Sequence, residues 1–228
     1  MKAGIALLVV ALTATQLAHA REHVALAGTE YSGLGSYTYL GIISPLGSAE
    51  LGHGFVMRHW LERLTYQYDS AGVNIDAERY GYAPSLGYQT PLGRGHAGLY
   101  AGLRIAHTDL SPNDPGNPEE GHTNRVFLQA DADTPIGERA ENQLVTSFET
   151  RYSDYYVRDR LLFRTGKLSF GPEVVFKGGR DYNGWQAGLA LGGIKLRENL
   201  GLLLRGGISA QDGESSTGYG SLELVMNL

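Results

Sequence analysis

Residues 155–164 read YYVRDRLLFR and alternate between two kinds of side chain. Apart from Asp159, the odd positions hold apolar or aromatic residues, whereas Arg158, Arg160 and Arg164 lie between them. A period of two predicts a β-strand with two unlike faces, because successive side chains point to opposite sides. An apolar row opposed by arginines is typical of a transmembrane barrel, which has lipid on one side of each strand and a polar lumen on the other.

The same alternation recurs through the second half of the chain, and a soluble β-sandwich would also produce it. The polar rows, however, mix arginines with carboxylates and glycines, and arginine suits buried bidentate pairing. We therefore predict an all-β fold, an antiparallel transmembrane β-barrel whose lumen is filled by Arg and Asp/Glu side chains. The predicted lumen network consists of Arg104, Asp131, Asp133, Glu149, Arg151, Arg158, Arg160, Arg164, Glu173, Arg205 and Glu223.

The pattern between residues 51 and 228 accounts for ten strands. A hairpin about residues 32–35 raises the number to about twelve, and ten is the alternative; single-chain bacterial barrels avoid odd numbers. Tight connections at Pro91, Pro135, Arg164 and Leu196 alternate with longer ones such as DSAGVNID, which places the carboxyl terminus on the periplasmic side. Helical signals are nearly absent, and the strongest, HWLERL at residues 59–64, is short and lies within the strand predicted over residues 51–69.

The amino-terminal stretch has the three parts of a secretory signal peptide. Lys2 supplies a positive charge, residues 5–12 are apolar, and Ala18-His19-Ala20 fits the cleavage pattern. A membrane anchor is the alternative, but the apolar run is shorter than the roughly 20 residues of a membrane span. We expect a signal peptide over residues 1–20 and a barrel over 21–228 in the outer membrane of a Gram-negative cell.

Composition excludes several classes of protein. The 228 residues include no cysteine, so neither a disulfide framework nor a thiolate metal site is expected. The formal net charge of −5 gives no indication of nucleic-acid binding. We predict no cofactor.

The stretch LSPNDPGNPEEG, residues 110–121, interrupts the strand pattern with three evenly spaced prolines. Proline favours extended, polyproline-like backbone and cannot donate to a sheet edge. We predict a solvated, shape-holding extracellular loop. A calcium site is an alternative, but the acidic residues do not have EF-hand spacing.

The same segment carries a resemblance. DLSPNDPGNPEEG, residues 109–121, resembles the DLSPxDPxNPxxG segment of the BcsS family of cellulose biosynthesis proteins, and residues 166–191 resemble its GPE strand pair. The resemblance implies an outer-membrane barrel associated with bacterial cellulose, the exopolysaccharide of many biofilms. It implies membrane lipid, and cellulose or other Bcs components, as partners, and it transfers no catalytic residue.

Enzymatic motifs such as HExxH and GxSxG do not occur in the sequence. His107 with Asp109 and Ser111 is the one cluster of that kind, and a polar strand end explains it better than catalysis. Glycan contacts are a second hypothesis, because aromatic faces stack on sugars and polar groups bind their hydroxyls; an aromatic girdle is the competing explanation. The candidate contacts are Tyr155, Tyr156, Tyr182, Trp185, Asp181 and Asn183.

We therefore expect a non-enzymatic accessory barrel in cellulose biosynthesis, export or surface attachment. The alternatives are an outer-membrane lipid- or glycan-modifying enzyme and a small-solute pore.

Overall fold

A computed structural model of the protein describes residues 23–180 and 182–228, which contain thirteen β-strands. The predicted signal peptide and the candidate contact Asp181 lie outside the described residues. None of the described residues belongs to a helix long and apolar enough to cross a membrane. The strands are β1 (Val24–Ser32), β2 (Gly35–Pro45), β3 (Gly54–Ser70), β4 (Val73–Tyr82), β5 (Ser85–Leu92), β6 (Gly95–Ser111), β7 (Gly121–Ile136), β8 (Ala140–Glu149), β9 (Asp154–Thr165), β10 (Leu168–Gly178), β11 (Asn183–Arg197), β12 (Leu200–Gln211) and β13 (Thr217–Asn227).

The strands close into an antiparallel barrel with twelve positions, because β1 pairs with both β2 and β13. β4 and β5 share one position end to end: both run between β3 and β6, β4 beside one half of these long strands and β5 beside the other. The break falls at Ala83 and Pro84, where proline has no amide for the ladder. The predicted twelve-strand barrel is confirmed, and the interruption accounts for the thirteenth segment.

The register also sets the tilt of the strands. Directly opposed residues, followed once around the barrel, lead from His122 to Ile136 on the same strand, a displacement of 14 residues. Such a stagger requires strands that are inclined to the barrel axis.

Four strands project beyond their neighbours at one end of the barrel, which we call the mouth. Residues 67–70 of β3 extend past Tyr66, the last residue opposite β2. Residues 121–126 of β7 precede Phe127, the first residue opposite β8. Strands β3, β4, β6 and β7 therefore form a one-sided wall, and the connection between β6 and β7 leaves from it.

The two faces of the barrel differ as the period of two predicts. On β10, Phe170 and Phe176 are 51% and 53% exposed, whereas Glu173 and Val175 between them are buried. In a closed barrel, buried side chains point inward and exposed ones outward. The outer face of β10 is therefore an apolar surface suited to lipid.

Inward glycines make room for aromatic rings on the neighbouring strand. An added Cβ at Gly41 would collide with the ring of Trp60, its register partner. The aromatic rings therefore pack flat on the inner surface, over glycines of the neighbouring strand, an arrangement known from other β-sheets. The other register-paired examples are Gly28 with Tyr39, Gly87 with Tyr100 and Gly102 with Phe127.

One local prediction is correct and another is wrong. The short helical signal HWLERL lies within β3, in the strand predicted over residues 51–69, because pairing with β2 and β4 outweighs the helix propensity of its leucines and glutamate. The expected longer connection DSAGVNID contains only a two-residue turn, in which Ala71 and Gly72 both have positive φ, 53° and 82°. Two positive φ values are the requirement of a tight hairpin turn that follows strand twist.

Candidate functional site

Six charged side chains form a closed ring of alternating sign near the mouth, which we call the mouth ring. Glu62 binds Arg104 Nε at 2.9 Å, Arg104 contacts Glu149, and Glu149 lies 3.5 Å from Arg125. The remaining members are Glu119, 3.2 Å from Arg125, and Arg79, which lies 3.9 Å from Glu119 and 3.8 Å from Glu62.

The ring spans the inner surface of five adjacent strand positions, from β3 to β8. Arg104 of β6 contacts Glu62 of β3 across the β4 position and Glu149 of β8 across β7. The side chains of Arg125 and Glu62 are 0% and 1% exposed. Because an isolated buried charge is costly, each member depends on the opposite charges beside it.

Asp154 extends the ring on one side. Its Oδ2 accepts a hydrogen bond from Arg125 Nη1 at 3.1 Å, and the guanidinium of Arg125 also lies 4.8 Å from the centre of the Tyr152 ring. The guanidinium is therefore fixed by carboxylates and by an aromatic face.

The connection between β6 and β7, residues 112–120, is the proline loop, and it folds over the mouth. Asp114 accepts a hydrogen bond from the Tyr68 hydroxyl at 2.9 Å, and Asn117 Nδ2 donates to the same hydroxyl oxygen at 2.7 Å. The Tyr152 hydroxyl donates to the carbonyl of Pro118 at 2.8 Å. These tethers hold Glu119 within the mouth ring.

The spacing of the prolines predicts an extended backbone for the proline loop, and the structure shows turns instead. The amide of Asn117 donates to the carbonyl of Asp114, and that of Glu120 to the carbonyl of Asn117, which closes two successive turns. The Asn117 side chain additionally accepts from the Glu119 amide at 2.9 Å. Turns and tethers therefore hold the shape of the loop, while Glu120 remains exposed.

A second group of charges, the mid-barrel cluster, consists of Glu30, Arg160, Glu173 and Arg205. Glu173 accepts from Arg160 Nε at 2.7 Å and from Arg205 Nη1 at 2.9 Å. Arg205 also donates to Glu30 at 3.0 Å, as does Gln186 at 2.7 Å. Because β11 separates Glu173 from Arg205 and β13 separates Arg205 from Glu30, the cluster also bridges non-adjacent strands.

Other residues of the predicted lumen network lie apart from these two groups. Glu223 accepts a hydrogen bond from Tyr39, and Arg158 lies within electrostatic range of it. Asp131 and Asp133 each lie 3.8 Å from Nε2 of His96.

Two residues of the predicted lumen network, Arg164 and Arg151, are exposed to solvent instead of buried in the lumen. Arg164 pairs with Glu141 at 2.5 Å with over half of its side chain exposed. Arg151 is exposed in the β8–β9 turn and stacks over Tyr152 at 5.3 Å, because the strand ends at Glu149.

Sequence reasoning missed Glu30, Glu62, Arg79, Glu119 and Arg125. Arg125 and Asp131 lie an even number of positions apart on β7, so the period of two predicts that both face the lumen. Glu62 lies in the first half of the chain, where the two faces of the predicted strands were not assigned, and no local pattern indicates that Glu119 turns inward from its loop.

The candidate glycan contacts are divided between the faces of the barrel. Tyr155, Asn183 and Trp185 line a shallow outer groove of about 220 Å³ near the mouth, and the Tyr155 hydroxyl donates to Asn183 at 3.1 Å. Tyr156, the next residue along β9, lies on the opposite face. Tyr182 lies in the β10–β11 connection and is 36% exposed.

The cluster considered for catalysis lies on the outer surface. His107 Nε2 is 3.2 Å from Asp109, and its ring centre lies 4.4 Å from that of His122. Ser111, two positions after Asp109, is the last residue of β6. Within residues 23–180 and 182–228, no group of three or more His, Asp or Glu side chains could hold a metal ion.

Solved structures with a similar fold are outer-membrane barrels. The COG4313 outer membrane channel from Pseudomonas putida F1 has a TM-score of 0.66 at 10% identity, with 95% of this chain and 98% of that chain covered. The translocator domain of autotransporter NalP from Neisseria meningitidis gives 0.53 at 12% identity, with coverage of 90% and 87%. A KdgM porin gives 0.51 at 10% identity, with coverage of 89% and 98%. At these identities the likeness concerns the fold alone.

No curated protein sequence matches the chain. The family model of the cellulose biosynthesis protein BcsS, in contrast, matches residues 24–228, which is nearly all of the described barrel, and the chain therefore belongs to the BcsS family of cellulose biosynthesis proteins.

Proposed function

We propose that the protein is a non-enzymatic accessory of cellulose production in the outer membrane, that it acts at the cell surface, and that it is not the conduit for the glucan chain. The family supports the link to cellulose, and the barrel supports the membrane location. By the rule that longer connections face outward, the mouth with its proline loop faces the exterior.

The observation that carries this proposal is the set of buried charge pairs on the inner surface of the barrel. A glucan chain passing along this surface would compete with the pairing of Arg104 with Glu62 and Glu149, and of Arg205 with Glu30. Parting such buried pairs leaves uncompensated charges, at a cost of about 3–5 kcal/mol for each. An accessory role requires no such opening.

The test uses a deletion strain and a variant altered only in the lumen. The combined substitution Arg160→Met, Glu173→Leu, Arg205→Met and Glu30→Gln removes all four charges of the mid-barrel cluster with side chains of similar size, and a glutamine at position 30 can still bond Gln186. We expect this variant, once folding is verified by heat-modifiable gel mobility, to restore cellulose yield as the wild type does. We also expect the wild-type protein to give no steady conductance in planar bilayers. Open-channel conductance blocked by cello-oligosaccharides would contradict the proposal.

Surface attachment has its own candidate site, the outer groove beside the mouth. The indole of Trp185 and the phenol of Tyr155 offer faces for sugar stacking, and Asn183 and Asp212 offer hydrogen-bonding groups. We expect Trp185→Ala to weaken binding of cellohexaose at least tenfold in calorimetry. Phe170→Ala, an exposed aromatic residue at the far end of the outer face, should leave binding unchanged. Equal binding by the two variants would assign Trp185 to the aromatic girdle instead.

A further inference from the structure

We infer that Arg79 and Arg125 form an anion-binding site at the mouth, and that Glu119 of the proline loop occupies this site as an internal ligand in place of an acidic saccharide, one carrying a carboxylate or phosphate group. Cellulose is uncharged, so this inference goes beyond the proposed function and does not rest on it.

The two arginines hold the carboxylate of Glu119 between them. Oε1 lies 3.2 Å from Arg125 Nη2, and Oε2 lies 3.9 Å from Arg79 Nη1. Neither separation satisfies the arginine donors fully, because Nη2 and Nε of Arg125 and Nε of Arg79 are buried without a hydrogen bond of good geometry among the described residues. Buried donors without a hydrogen bond, on two guanidinium groups that hold a carboxylate loosely, have capacity for a better-fitting oxyanion.

Both arginines lie on strands, and Arg125 is held there by several partners, whereas Glu119 is on a loop. Arg125 is held by Glu149, Asp154 and the ring of Tyr152, all on or beside neighbouring strands. The side chain of Arg125 is fully buried, while that of Glu119 is 21% exposed at the boundary with solvent. Glu119 is therefore the member of the mouth ring that an external anion can replace.

The charge balance permits this exchange. With Asp154 included, the mouth ring has three guanidinium groups and four carboxylates, so Glu119 is the carboxylate in excess. When the loop withdraws, three carboxylates remain for three arginines, and no buried charge is left without a partner. A ligand with one negative charge restores the balance of the closed state.

The surroundings favour a saccharide over a free inorganic anion. The rings of Tyr66 and Tyr68 lie side by side on the wall, with centres 6.1 Å apart, and Tyr182 lies close enough to Glu119 to interact with its charge. Aromatic faces beside an arginine pair suit a sugar ring that carries an acidic group.

Isothermal calorimetry on the mature protein in detergent micelles tests the site, with glucuronic acid, inorganic phosphate and glucose as probes. We expect Glu119→Gln to bind glucuronic acid at least tenfold more tightly than the wild type, because the internal competitor has lost its charge. Glu120→Gln is the matched control, since the same residue type one position along the loop is exposed, and it should bind as the wild type does. Glucose should not bind to this site in any of these proteins.

A second substitution makes the result specific to the arginine pair. Arg79→Met combined with Glu119→Gln should abolish the gain, while thermal unfolding of this variant reports that the barrel is intact. Equal affinity of Glu119→Gln, Glu120→Gln and the wild type for glucuronic acid would overturn the inference. A gain for phosphate without a gain for glucuronic acid would overturn it as well, since the site would then take no saccharide.

Discussion

Glu173 is the residue whose loss should most clearly reveal the energetics of the lumen. Its side chain is fully buried, and one oxygen accepts from Arg160 at 2.7 Å while the other accepts from Arg205 at 2.9 Å. The substitution Glu173→Gln preserves the shape of the side chain but removes the charge that both guanidinium groups share. Arg160 is then left with neutral partners only and Arg205 with Glu30 alone, while one end of the new amide carries donors like those of the arginines.

The magnitude follows from burial. Breaking a buried pair by removing one partner costs about 3–5 kcal/mol, because the remaining charge is uncompensated. The control is Glu141→Gln, whose partner Arg164 has 54% of its side chain exposed. Exposed pairs contribute about 0–1 kcal/mol, so the two substitutions should differ severalfold in their effect on the free energy of unfolding.

The assay is reversible unfolding in guanidinium chloride in phospholipid vesicles, followed by the fluorescence of Trp60 and Trp185. Unfolding in urea with added 1 M salt provides a second criterion, since salt at that concentration screens exposed charges over about 3 Å but acts little on buried pairs. We expect salt to diminish the effect of Glu141→Gln and to leave that of Glu173→Gln in place. A loss below about 1 kcal/mol for Glu173→Gln, or a loss no larger than that for Glu141→Gln, would refute the reasoning.

Two further substitutions test the outer and inner faces. Leu189→Arg, at a residue 66% exposed on the apolar outer face, should destabilise the barrel in vesicles by about 2–4 kcal/mol. Asn74→Arg on the projecting β3–β4 hairpin should change unfolding by less than about 1 kcal/mol, and equal effects would show that lipid does not cover Leu189. Gly41→Ala should displace the ring of Trp60 and cost about 1–3 kcal/mol in the same unfolding assay. Gly220→Ala, where an added Cβ meets nothing within 4 Å, is its control at below about 0.5 kcal/mol, and equal losses would contradict the proposed packing.

The local sequence predicted the architecture well for two reasons. Alternation in a strand repeats every two residues, and each face of the strand contacts a single environment, either lipid or the lumen. The rows opposite Arg158 and Arg160 could be assigned to lipid before any tertiary contact was known. Residues 59–64 carry the strongest helical signal of the chain, yet they belong to the predicted strand, because a short stretch cannot outweigh two ladders of strand pairing.

The candidate site was less accessible to the same reasoning. Arg104 and Glu149 could be predicted as lumen residues from parity alone, but their connection through Arg125 and Glu62 could not. Adjacent aromatic residues such as Tyr155 and Tyr156 seemed a single cluster in the sequence, and the strand places them on opposite faces.

The sequence by itself determined that this protein consists of strands with one apolar and one charged face, because alternation records what each side of a strand faces, and it favoured a barrel. Only the tertiary structure decided which charges meet, because the register around the closed sheet brings residues from β3, β6 and β8 to one level of the lumen. It also decided that Glu119 leaves a proline-rich loop to enter that ring. Such pairings depend on distances between strands far apart in the chain, and no local pattern of residues encodes those distances.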